Sequence, residues 1–378
     1  MIYFDHAATS YPKVSPVLAA YRRAAVCYGA NPGRSGYPMA MATTEQMYRC
    51  RERLATLFGL SDPRRVVLMP NCTTALNTVL KSVLANGGRA VISSLEHNAV
   101  VRPLHALSPS YPCYDIVSVC GGDDEEIVQR FRGAITPRTK VLVCTCASNV
   151  TGQVLPVARL ASLAHEHGIP IVVDAAQAAG HLPLNVERDN IDYLCAAGHK
   201  GLLGTMGTGI LLCREEQEIH PLIEGGTGSY SLSREQPAEL PERLESGTPN
   251  VAGICALCAG VEYLLKLGVE RVAVYEHALC ERLYEGLLSY PSIRLHSPPP
   301  RIGRTVPVIS FAAQGTDVQE LCERLARVGI AARCGLHCAP LAHETLGTAP
   351  AGTIRFSLGL TNTSEEIETS LKLLKKIL

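Results

Sequence analysis

One lysine, Lys200, stands where its amine could react with a ligand. It follows an apolar run that predicts a strand, Ile191–Cys195, and it lies in a stretch of small residues, Ala196-Ala197-Gly198-His199-Lys200-Gly201. A lysine held at the rim of a sheet can present its amine to a carbonyl compound and form a Schiff base with it. The same pattern also fits a surface lysine in a Gly-rich turn, which is the commoner case for an isolated His-Lys pair. Other residues must decide between the two.

Side chains that could bind or react follow four further predicted strands, each where the strand ends. Val66–Met69 is followed by Cys72 and Thr73, Ala90–Ser93 by His97, Lys140–Cys146 by Asn149, and Ile169–Val173 by Asp174 and Gln177. Ligands of open α/β sheets bind beyond the carboxyl ends of the strands, so we expect these side chains to meet at one edge. Each of them has an ordinary structural explanation when it is taken alone.

Taken together, the same residues describe one ligand. The turn after Val66–Met69 leads into a helix, whose free N–H groups suit a phosphate. His97 can stack on a planar ring, and Asp174 and Gln177 place a carboxylate and an amide one helical turn apart. With an amine at Lys200 for an aldehyde, these features fit pyridoxal 5′-phosphate (PLP).

Seven apolar runs predict strands, and helical patterns separate most of them. The runs are Val66–Met69, Ala90–Ser93, Ile116–Val119, Lys140–Cys146, Ile169–Val173, Ile191–Cys195 and Gly209–Cys213. The alternation predicts an α/β fold with a mainly parallel, seven-stranded sheet that helices cover on both faces. Before these strands, helices are predicted from Ser15 to about Tyr28 and from Thr43 to Phe58.

A segment rich in Gly, Ser and Pro, Glu224–Asn250, interrupts this alternation. Two helices follow it, Val251–Lys266 and Val269–Leu288, and then come a shorter set of strands and a final helix from Ser364. We expect a large PLP-binding domain over residues 13–247 and a smaller α+β C-terminal domain over residues 248–378, which also takes residues 1–12.

Composition narrows the class of function. The 378-residue chain has 35 Lys and Arg against 35 Asp and Glu, so neither nucleic acid nor an anionic membrane surface is an expected partner. The N-terminus lacks a signal-peptide pattern and no apolar run is long enough to span a membrane, so we expect a cytoplasmic protein. The 15 cysteines are scattered, and the single motif Cys255-Ala256-Leu257-Cys258 has no second pair, so no metal site is expected.

The ordered motifs resemble those of the class V aminotransferase-like PLP enzymes, and among them the SUF-like group II cysteine desulfurases. They are Asp5-His6-Ala7-Ala8-Thr9, residues 71–77, Glu96-His97, Ser148-Asn149, Asp174-Ala175-Ala176-Gln177, Gly198-His199-Lys200, residues 245–250, residues 333–340 and residues 355–363. The resemblance runs from end to end. It implies the fold type I architecture of PLP-dependent transferases and PLP as the cofactor.

The resemblance also implies roles for individual residues. Lys200 would bind PLP covalently, His97 would stack on its ring, Asp174 would hold the pyridine nitrogen, and Gln177 and Asn149 would lie near the phenolic oxygen. Cys72, Thr73 and His199 would lie around the phosphate, and Thr248 would reach the phosphate of a neighbouring subunit, which implies a homodimer. Arg355 would clamp the substrate carboxylate, with Asn149 and Arg34 also on the substrate side.

Ala197 departs from the family pattern. Family members commonly have a serine three residues before the lysine, so one hydrogen bond to the phosphate is expected to be missing here. A hydrogen bond to a charged group contributes about 1.5 to 3 kcal/mol, which would lower cofactor affinity without changing the chemistry.

Cys338 determines the type of reaction that the resemblance implies. Removal of sulfur from a substrate requires a thiolate that attacks the sulfur and carries it away as a persulfide, whereas transamination requires no thiol. Cys338 lies in a predicted loop and matches the cysteine of the family's Arg-x-Gly-x-His-Cys-Ala segment, and Cys334 is its nearest rival. His337, Arg333 and His343 are candidates for stabilising the thiolate.

The expected reaction converts L-cysteine to L-alanine, and a sulfur-acceptor protein is an expected partner. Two alternatives keep the same fold: a selenocysteine lyase, which could work without Cys338, and a cystine or cysteine β-lyase, which would release pyruvate and ammonia. A non-catalytic protein of this fold is disfavoured by the complete set of residues. A nicotinamide-dependent enzyme is disfavoured because no Gly-x-Gly-x-x-Gly motif follows the first strand.

Overall fold

Thirteen strands and eleven α-helices make up the regular structure of the computed structural model, which describes residues 1–33, 35–108, 111–215 and 219–378. The strands are β1 (Ile2–Tyr3), β2 (Val66–Met69), β3 (Arg89–Ser93), β4 (Tyr114–Val117), β5 (Thr139–Thr145), β6 (Ile171–Asp174), β7 (Tyr193–Ala197), β8 (Gly209–Cys213), β9 (Ile293–Leu295), β10 (Val308–Ala313), β11 (Ile330–Ala331), β12 (Arg333–Gly335) and β13 (Thr353–Ser357). The helices are α1 (Ser15–Cys27), α2 (Pro38–Phe58), α3 (Cys72–Val83), α4 (Asn98–Leu107), α5 (Asp124–Ala134), α6 (Val157–Glu166), α7 (Val251–Leu267), α8 (Val269–Leu288), α9 (Val318–Arg327), α10 (Pro340–Leu346) and α11 (Ser364–Ile377).

The central sheet has seven strands in the order β2-β8-β7-β6-β5-β3-β4. The pairs from β4 to β7 are parallel, whereas β8 runs antiparallel to both β7 and β2. The parallel pairs bring the carboxyl ends of β3, β5, β6 and β7 to one edge. The predicted α/β fold with a mainly parallel sheet is therefore confirmed.

Apolar side chains pack on both faces of this sheet. Leu142 of β5 belongs to a core layer that includes Leu257 of α7, whereas Val141 and Val143 belong to the opposite layer with Leu76 of α3. Successive side chains of a strand point to opposite faces, so one strand supplies both layers. Two covered faces explain why these strands are apolar runs and not alternating patterns.

Helix α7 lies against α1 and α2, and its buried side chains join the core of the central sheet. The predicted division of the chain after residue 247 stays a prediction.

Among the described residues, no single helix is long and apolar enough to cross a membrane. Only α7 and α8 taken together, with a bend of 84° between them, meet the criteria of length and composition.

A second, four-stranded sheet with the order β12-β13-β10-β9 is antiparallel throughout. It has its own core, in which Phe4, Phe311 and Phe356 pack edge to face. Phe4 follows β1, which pairs in parallel with β11. The start of the chain therefore packs with the C-terminal strands.

Helices α1 and α11 begin at the predicted Ser15 and Ser364, each after a cap at the preceding residue, whereas α2 begins at Pro38 and not at the predicted Thr43. Val14, and not Ser15, is the N-cap of α1, and it makes no side-chain cap bond. Thr363, one residue before the predicted Ser364, caps α11, where its hydroxyl accepts from the Glu366 N–H and the Glu366 carboxylate accepts from the Thr363 N–H. This reciprocal capping box satisfies two N–H groups at once, which explains why the helix starts there.

Candidate active site

Lys200 lies three residues beyond β7, which runs to Ala197 and not to the predicted end at Cys195. After the strand the chain turns sharply at Gly198, whose N–H donates to Thr208 O at 2.9 Å. A β-carbon at Gly198 would lie 2.2 Å from Thr208 Oγ1, so only glycine fits this approach. The turn directs the following lysine to the edge where the parallel strands end.

A cavity of about 100 Å³ lies at this edge. Its lining includes most of the predicted site residues, namely Cys72, Thr73, His97, Asn149, Asp174, Gln177, His199 and Lys200, together with Ala197. Parallel strands end on the same side of a sheet, which is why residues up to 128 positions apart in sequence, from Cys72 to Lys200, meet here.

One end of the cavity offers groups suited to an anion. Asn71 caps α3 by accepting from the Thr74 N–H at 2.8 Å, which leaves the first turn of the helix at the cavity wall. The N–H groups of a first helical turn and the helix dipole favour negative charge. The His199 Nδ1 atom is buried and has no hydrogen-bond partner within the described part of the chain.

Asp174 supplies the acid of the cavity and is 3% exposed. Its Oδ1 accepts from the Ala176 N–H at 2.9 Å and from the Cys72 thiol at 3.6 Å. Burial, and then the Asp174 charge, raise the pKa of Cys72 well above its usual value, so Cys72 stays a thiol and can donate. Cys72, the first residue of α3, therefore contacts the Asp174 carboxylate.

Lys200 is held in an environment that favours its neutral form. Burial lowers the pKa of its amine, and the positive charges of Arg355 and Arg333 lower it further, while Asp174 opposes them. A neutral amine is the form that attacks an aldehyde. The lowered pKa therefore suits a lysine that reacts with a carbonyl ligand.

His97 is fixed at the N-terminus of α4, where its Nδ1 accepts from the Ala99 N–H at 3.0 Å. Burial lowers the pKa of His97, so the ring is neutral. The preceding Glu96 is fully buried and accepts from the Thr145 N–H at 2.7 Å and from the Ser93 hydroxyl. Burial raises the pKa of Glu96 to about 8, so this carboxyl can bridge β3 and β5 without a buried charge.

Two amide side chains connect the cavity to more distant segments. Gln177 Nε2 donates to Ala7 O at 3.0 Å, and Asn149 Nδ2 donates to His337 O at 2.7 Å. His337 directly precedes Cys338. The Asn149 side chain therefore links the cavity to the loop that carries this cysteine.

Arg355 of β13 is 1% exposed and does not line the cavity. Its Nη2 forms an ion pair with Asp5 Oδ1 at 2.8 Å, and its Nη1 donates to Asn149 O at 3.1 Å. Its Nε has no hydrogen-bond partner among the described residues. A buried guanidinium that still has free N–H donors is suited to binding a carboxylate.

Cys338 is exposed and lies outside the cavity lining. Its backbone φ of 59° and the φ of 49° at His337 place both residues in the left-handed region. The Asn98 N–H donates to Cys338 O at 2.7 Å, beside His97, so the loop is fixed to the start of α4. Left-handed non-glycine residues cost free energy and are concentrated at functional sites.

Of the three expected helpers of Cys338, only Arg333 contacts its sulfur, with Nη2 at 3.6 Å from Sγ. The His337 Nε2 atom lies instead 3.1 Å from Thr353 O, and burial holds the pKa of this imidazole well below its usual value. The His343 Nδ1 atom lies 2.8 Å from Thr348 Oγ1, and burial lowers its pKa to about 4. Both histidines are therefore neutral, and neither supplies a positive charge to the thiol.

A family comparison identifies the class of protein to which this combination of residues belongs. The model of the aminotransferase class-V family matches residues 2–369. The chain belongs to this family. The finer assignment to the SUF-like group II stays a prediction.

Named relatives and a solved structure are similar over the whole chain. A probable cysteine desulfurase of Synechocystis sp. is 31% identical over 99% of this chain and 90% of its own length. A probable cysteine desulfurase of Mycolicibacterium paratuberculosis is 32% identical over 100% of this chain, which spans 55% of that relative. The solved cysteine desulfurase of Thermococcus onnurineus NA1 is 30% identical, with a TM-score of 0.90, over 100% of this chain and 94% of its own.

Thr248, which the family pattern predicts to reach a cofactor phosphate, does not line the cavity. It lines a separate cleft of about 600 Å³, where its hydroxyl lies 3.5 Å from Asn31 Nδ2. Arg34, the third residue expected on the substrate side, lies outside the described residues.

Cys334, the rival of Cys338, faces away from this site. Arg333 and Cys334 are consecutive in β12, so their side chains point to opposite faces of the strand. Arg333 contacts the Cys338 sulfur, whereas Cys334 Sγ donates to Gln319 Oε1 of α9 at 3.1 Å. The strand geometry therefore favours Cys338 over Cys334 as the reactive thiol.

The N-terminal segment is a part of the site that sequence reasoning missed. Asp5 pairs with Arg355, and the Ala7 carbonyl accepts from Gln177. The carbonyl of His199 accepts hydrogen bonds from the Ser10 N–H, the Thr9 and Ser10 hydroxyls and the Lys13 ammonium, at 3.0 to 3.1 Å. The family-like run at residues 5–9 was the available signal, but it gave no hint of these partners.

Proposed function

We propose that this protein is a PLP-dependent cysteine desulfurase, which converts L-cysteine to L-alanine and takes the sulfur onto Cys338 as a persulfide. The observation that carries the proposal is an exposed thiol on a loop that is hydrogen-bonded to the wall of a lysine-containing cavity, through Asn149 to His337 O and through the Asn98 N–H to Cys338 O. The names of the relatives support the same activity.

The residues of the cavity fit PLP. The unpartnered His199 Nδ1 and the first turn of α3 suit its phosphate, and the Asp174 carboxylate suits a protonated pyridine nitrogen. The neutral-favouring site of Lys200 suits its aldehyde. When bound there, PLP supplies an electron sink for the charge left on the substrate Cα after loss of its proton.

The proposed roles follow from these positions. Lys200 would hold the cofactor, and its amine would move the Cα proton of the substrate. Asp174 would stabilise a proton on the pyridine nitrogen. Arg355 orients the substrate carboxylate, a task for which a planar guanidinium with two parallel donors is better suited than a lysine.

Cys338 performs the step that makes the reaction a desulfuration. Its thiolate attacks the substrate sulfur, a new S–S bond forms and the bond between the sulfur and Cβ breaks. The electron pair of that bond stays with the substrate carbon, which takes up a proton and leaves as L-alanine. The Arg333 guanidinium, 3.6 Å from Sγ, can donate a hydrogen bond to the sulfur during the attack.

Cys338 is also placed to pass its sulfur on, because its side chain is exposed. A sulfur-acceptor protein is the partner that such a position suits. The cytoplasmic location predicted from the sequence stays a prediction.

The proposed unit is a homodimer in which Thr248 reaches the partner's cofactor phosphate. Its position in the cleft of about 600 Å³, apart from the cavity of its own chain, supports this arrangement. Ile223, which lines the same cleft, is 62% exposed, as an interface residue of a separated subunit would be. Sedimentation of the purified protein would contradict the proposal if it gave only the monomer mass.

Replacing Ala197 by serine is expected to tighten PLP binding. Ala197 lines the cavity at the end of β7, and a serine hydroxyl there would supply the phosphate donor that the family pattern has and this chain lacks. A hydrogen bond to a charged group contributes about 1.5 to 3 kcal/mol, so the dissociation constant of PLP should fall roughly tenfold or more. Titration of the apoprotein with PLP measures this dissociation constant. An unchanged constant in this variant would show that the phosphate lies elsewhere.

Replacing Lys13 by methionine is expected to weaken PLP binding roughly tenfold, because the His199 carbonyl loses its charged donor. Burial lowers the pKa of Lys13 to about 8, so at neutral pH the ammonium holds the peptide just before Lys200. Arginine at position 13 should restore most of the affinity, whereas methionine at the exposed Lys140 should have no effect. If the Lys13→Met variant bound PLP as tightly as the wild type, Lys13 would have no role in cofactor binding.

Product analysis tests the function. The purified protein with bound PLP and L-cysteine should release L-alanine and, with a thiol reductant, sulfide in equal amounts. Pyruvate and ammonia in place of alanine would indicate a β-lyase. Release of alanine from L-selenocysteine but not from L-cysteine would indicate a selenocysteine lyase.

A further inference from the structure

Two thiols lie in one gap between α9 and β12. Cys334 Sγ of β12 donates to Gln319 Oε1 at 3.1 Å, and Gln319 lies one helical turn before Cys322 on α9. Cys322 Sγ in turn lies 3.9 Å from Ala332 O, two residues before Cys334. The two thiols are also near enough to influence each other electrostatically. They are neighbours in space although they lie on different elements.

Both thiols are accessible to a small reagent, since Cys322 and Cys334 are each only partly buried. A second pair of thiols that influence each other electrostatically, Cys50 of α2 and Cys258 of α7, is buried. Both pairs consist of two neighbouring thiols on different elements, and they differ in access to solvent. The buried pair is therefore an internal control for the exposed one.

We propose that Cys322 and Cys334 form a redox-active dithiol, which a low-molecular-weight disulfide converts to an intramolecular disulfide that slows sulfur transfer at Cys338. The effect on sulfur transfer rests on the function proposed for Cys338. The formation of the disulfide does not depend on that function.

The chemistry is a pair of thiol–disulfide exchanges. The Cys334 thiolate attacks one sulfur of the small disulfide, so that a mixed disulfide forms and one small thiolate leaves. Cys322 then loses its proton and attacks the Cys334 sulfur; the protein disulfide forms and the second small thiol leaves with that proton. Two protein thiols are oxidised and one small disulfide is reduced to two thiols.

The order of the two attacks follows from the surroundings of Cys322. Burial and then the neighbouring thiol raise the pKa of Cys322 to about 12, so it carries little thiolate. Because the thiolate is the nucleophile, Cys334 attacks first and Cys322 resolves the mixed disulfide.

The disulfide can influence Cys338 through β12. A disulfide bond is about 2.0 Å long, much shorter than a non-bonded contact of two sulfurs, so its closure draws the two side chains together and can pull β12 toward α9. Arg333, on the other face of β12, contacts the Cys338 sulfur, and the loop to Cys338 leaves the end of this strand. Misplacement of reacting groups by about 1 Å can slow a reaction on the order of a hundredfold.

The test compares the holoenzyme with its Cys322→Ser variant, which keeps Cys338 and the proposed active site. Both are incubated with oxidised glutathione and then briefly with a dilute monothiol, which clears mixed disulfides from exposed cysteines such as Cys338. Proteolysis without reduction, followed by mass spectrometry, identifies the paired peptides. L-alanine release is measured before and after oxidation.

The wild type should yield a Cys322–Cys334 peptide and no Cys50–Cys258 peptide. Its turnover should fall on the order of tenfold, recover with dithiothreitol, and stay nearly unchanged in Cys322→Ser. Absence of the Cys322–Cys334 peptide, or pairing of Cys334 with Cys338, would overturn the dithiol. An equal loss of turnover in both proteins would overturn its effect on Cys338. Failure of the desulfurase proposal would be seen separately, as a lack of alanine release from the untreated wild type.

Discussion

Replacing Cys338 by serine should abolish sulfide and alanine release from L-cysteine, with a loss of turnover on the order of a thousandfold. The serine hydroxyl is nearly the same size but is not ionised at neutral pH and cannot accept sulfur as a persulfide. The cofactor should stay bound, because Cys338 is exposed and does not line the cavity. The visible absorbance of the variant should therefore match that of the wild type while its product release is lost.

Cys334→Ser is the matched control for this experiment. Cys334 lies four residues earlier, and its thiol faces Gln319 of α9. Its replacement should leave turnover of the reduced enzyme close to that of the wild type. Full desulfurase activity in the Cys338 variant would contradict the persulfide mechanism. Activity retained only on L-selenocysteine would instead favour a lyase that works without thiolate attack.

Replacing Lys200 by alanine should remove the covalently bound cofactor and reduce turnover on the order of a thousandfold or more. Lys200 supplies both the amine that binds the PLP aldehyde and the base that moves the Cα proton. The absorbance band of the bound cofactor, roughly 420 nm, should be lost. Any PLP that remains in the cavity should be removed by dialysis, in contrast to the wild type.

Two further variants sharpen this result. Lys200→Arg keeps a positive charge in the cavity but provides no nucleophilic amine, so it should lose activity as fully as the alanine variant. Alanine at Lys140, an exposed lysine of β5, should change neither absorbance nor turnover. Substantial alanine release by either Lys200 variant would show that another residue moves the proton.

The lowered pKa of Lys200 adds a pH dependence to the binding of the cofactor. Because burial disfavours the ammonium form, the neutral amine is present at lower pH than in an exposed lysine. Covalent capture of PLP by the apoprotein should therefore rise with pH and level off below the pH at which an ordinary lysine titrates.

The central sheet could be predicted from sequence because its pattern is local. Strands buried on both faces are continuous apolar runs, and β2 and β8 were predicted with their observed bounds. The start of β7 and both bounds of β4 were each predicted two residues away, at ends where polar and apolar residues alternate with no clear break. The start of β6 was also predicted two residues early, because β6 begins only after Pro170, which has no N–H to donate. The starts of α1 and α11 were predicted at Ser15 and Ser364, as observed, whereas the start of α2 was predicted five residues late.

The sequence by itself determined which side chains gather at the Lys200 cavity. The reason is topological: residues that follow parallel strands end at one edge whatever the details of their packing, so Asp174, His97 and Lys200 had to be neighbours. It also singled out Cys338 by its motif. The first inference required only the residue types that follow the strands, whereas that of Cys338 required the resemblance to the family.

Only the tertiary structure decided how the cavity is held and which groups surround the thiol. The Asp5–Arg355 pair and the donors from the segment to Lys13 join residues more than 180 positions apart, which no local pattern specifies. Three further features depend on the packing around β12. They are the burial that makes His337 neutral, the strand face that directs Cys334 to α9, and the left-handed backbone at Cys338. The sequence therefore assigned the residues of Lys200's site, and long-range packing fixed their charges and directions.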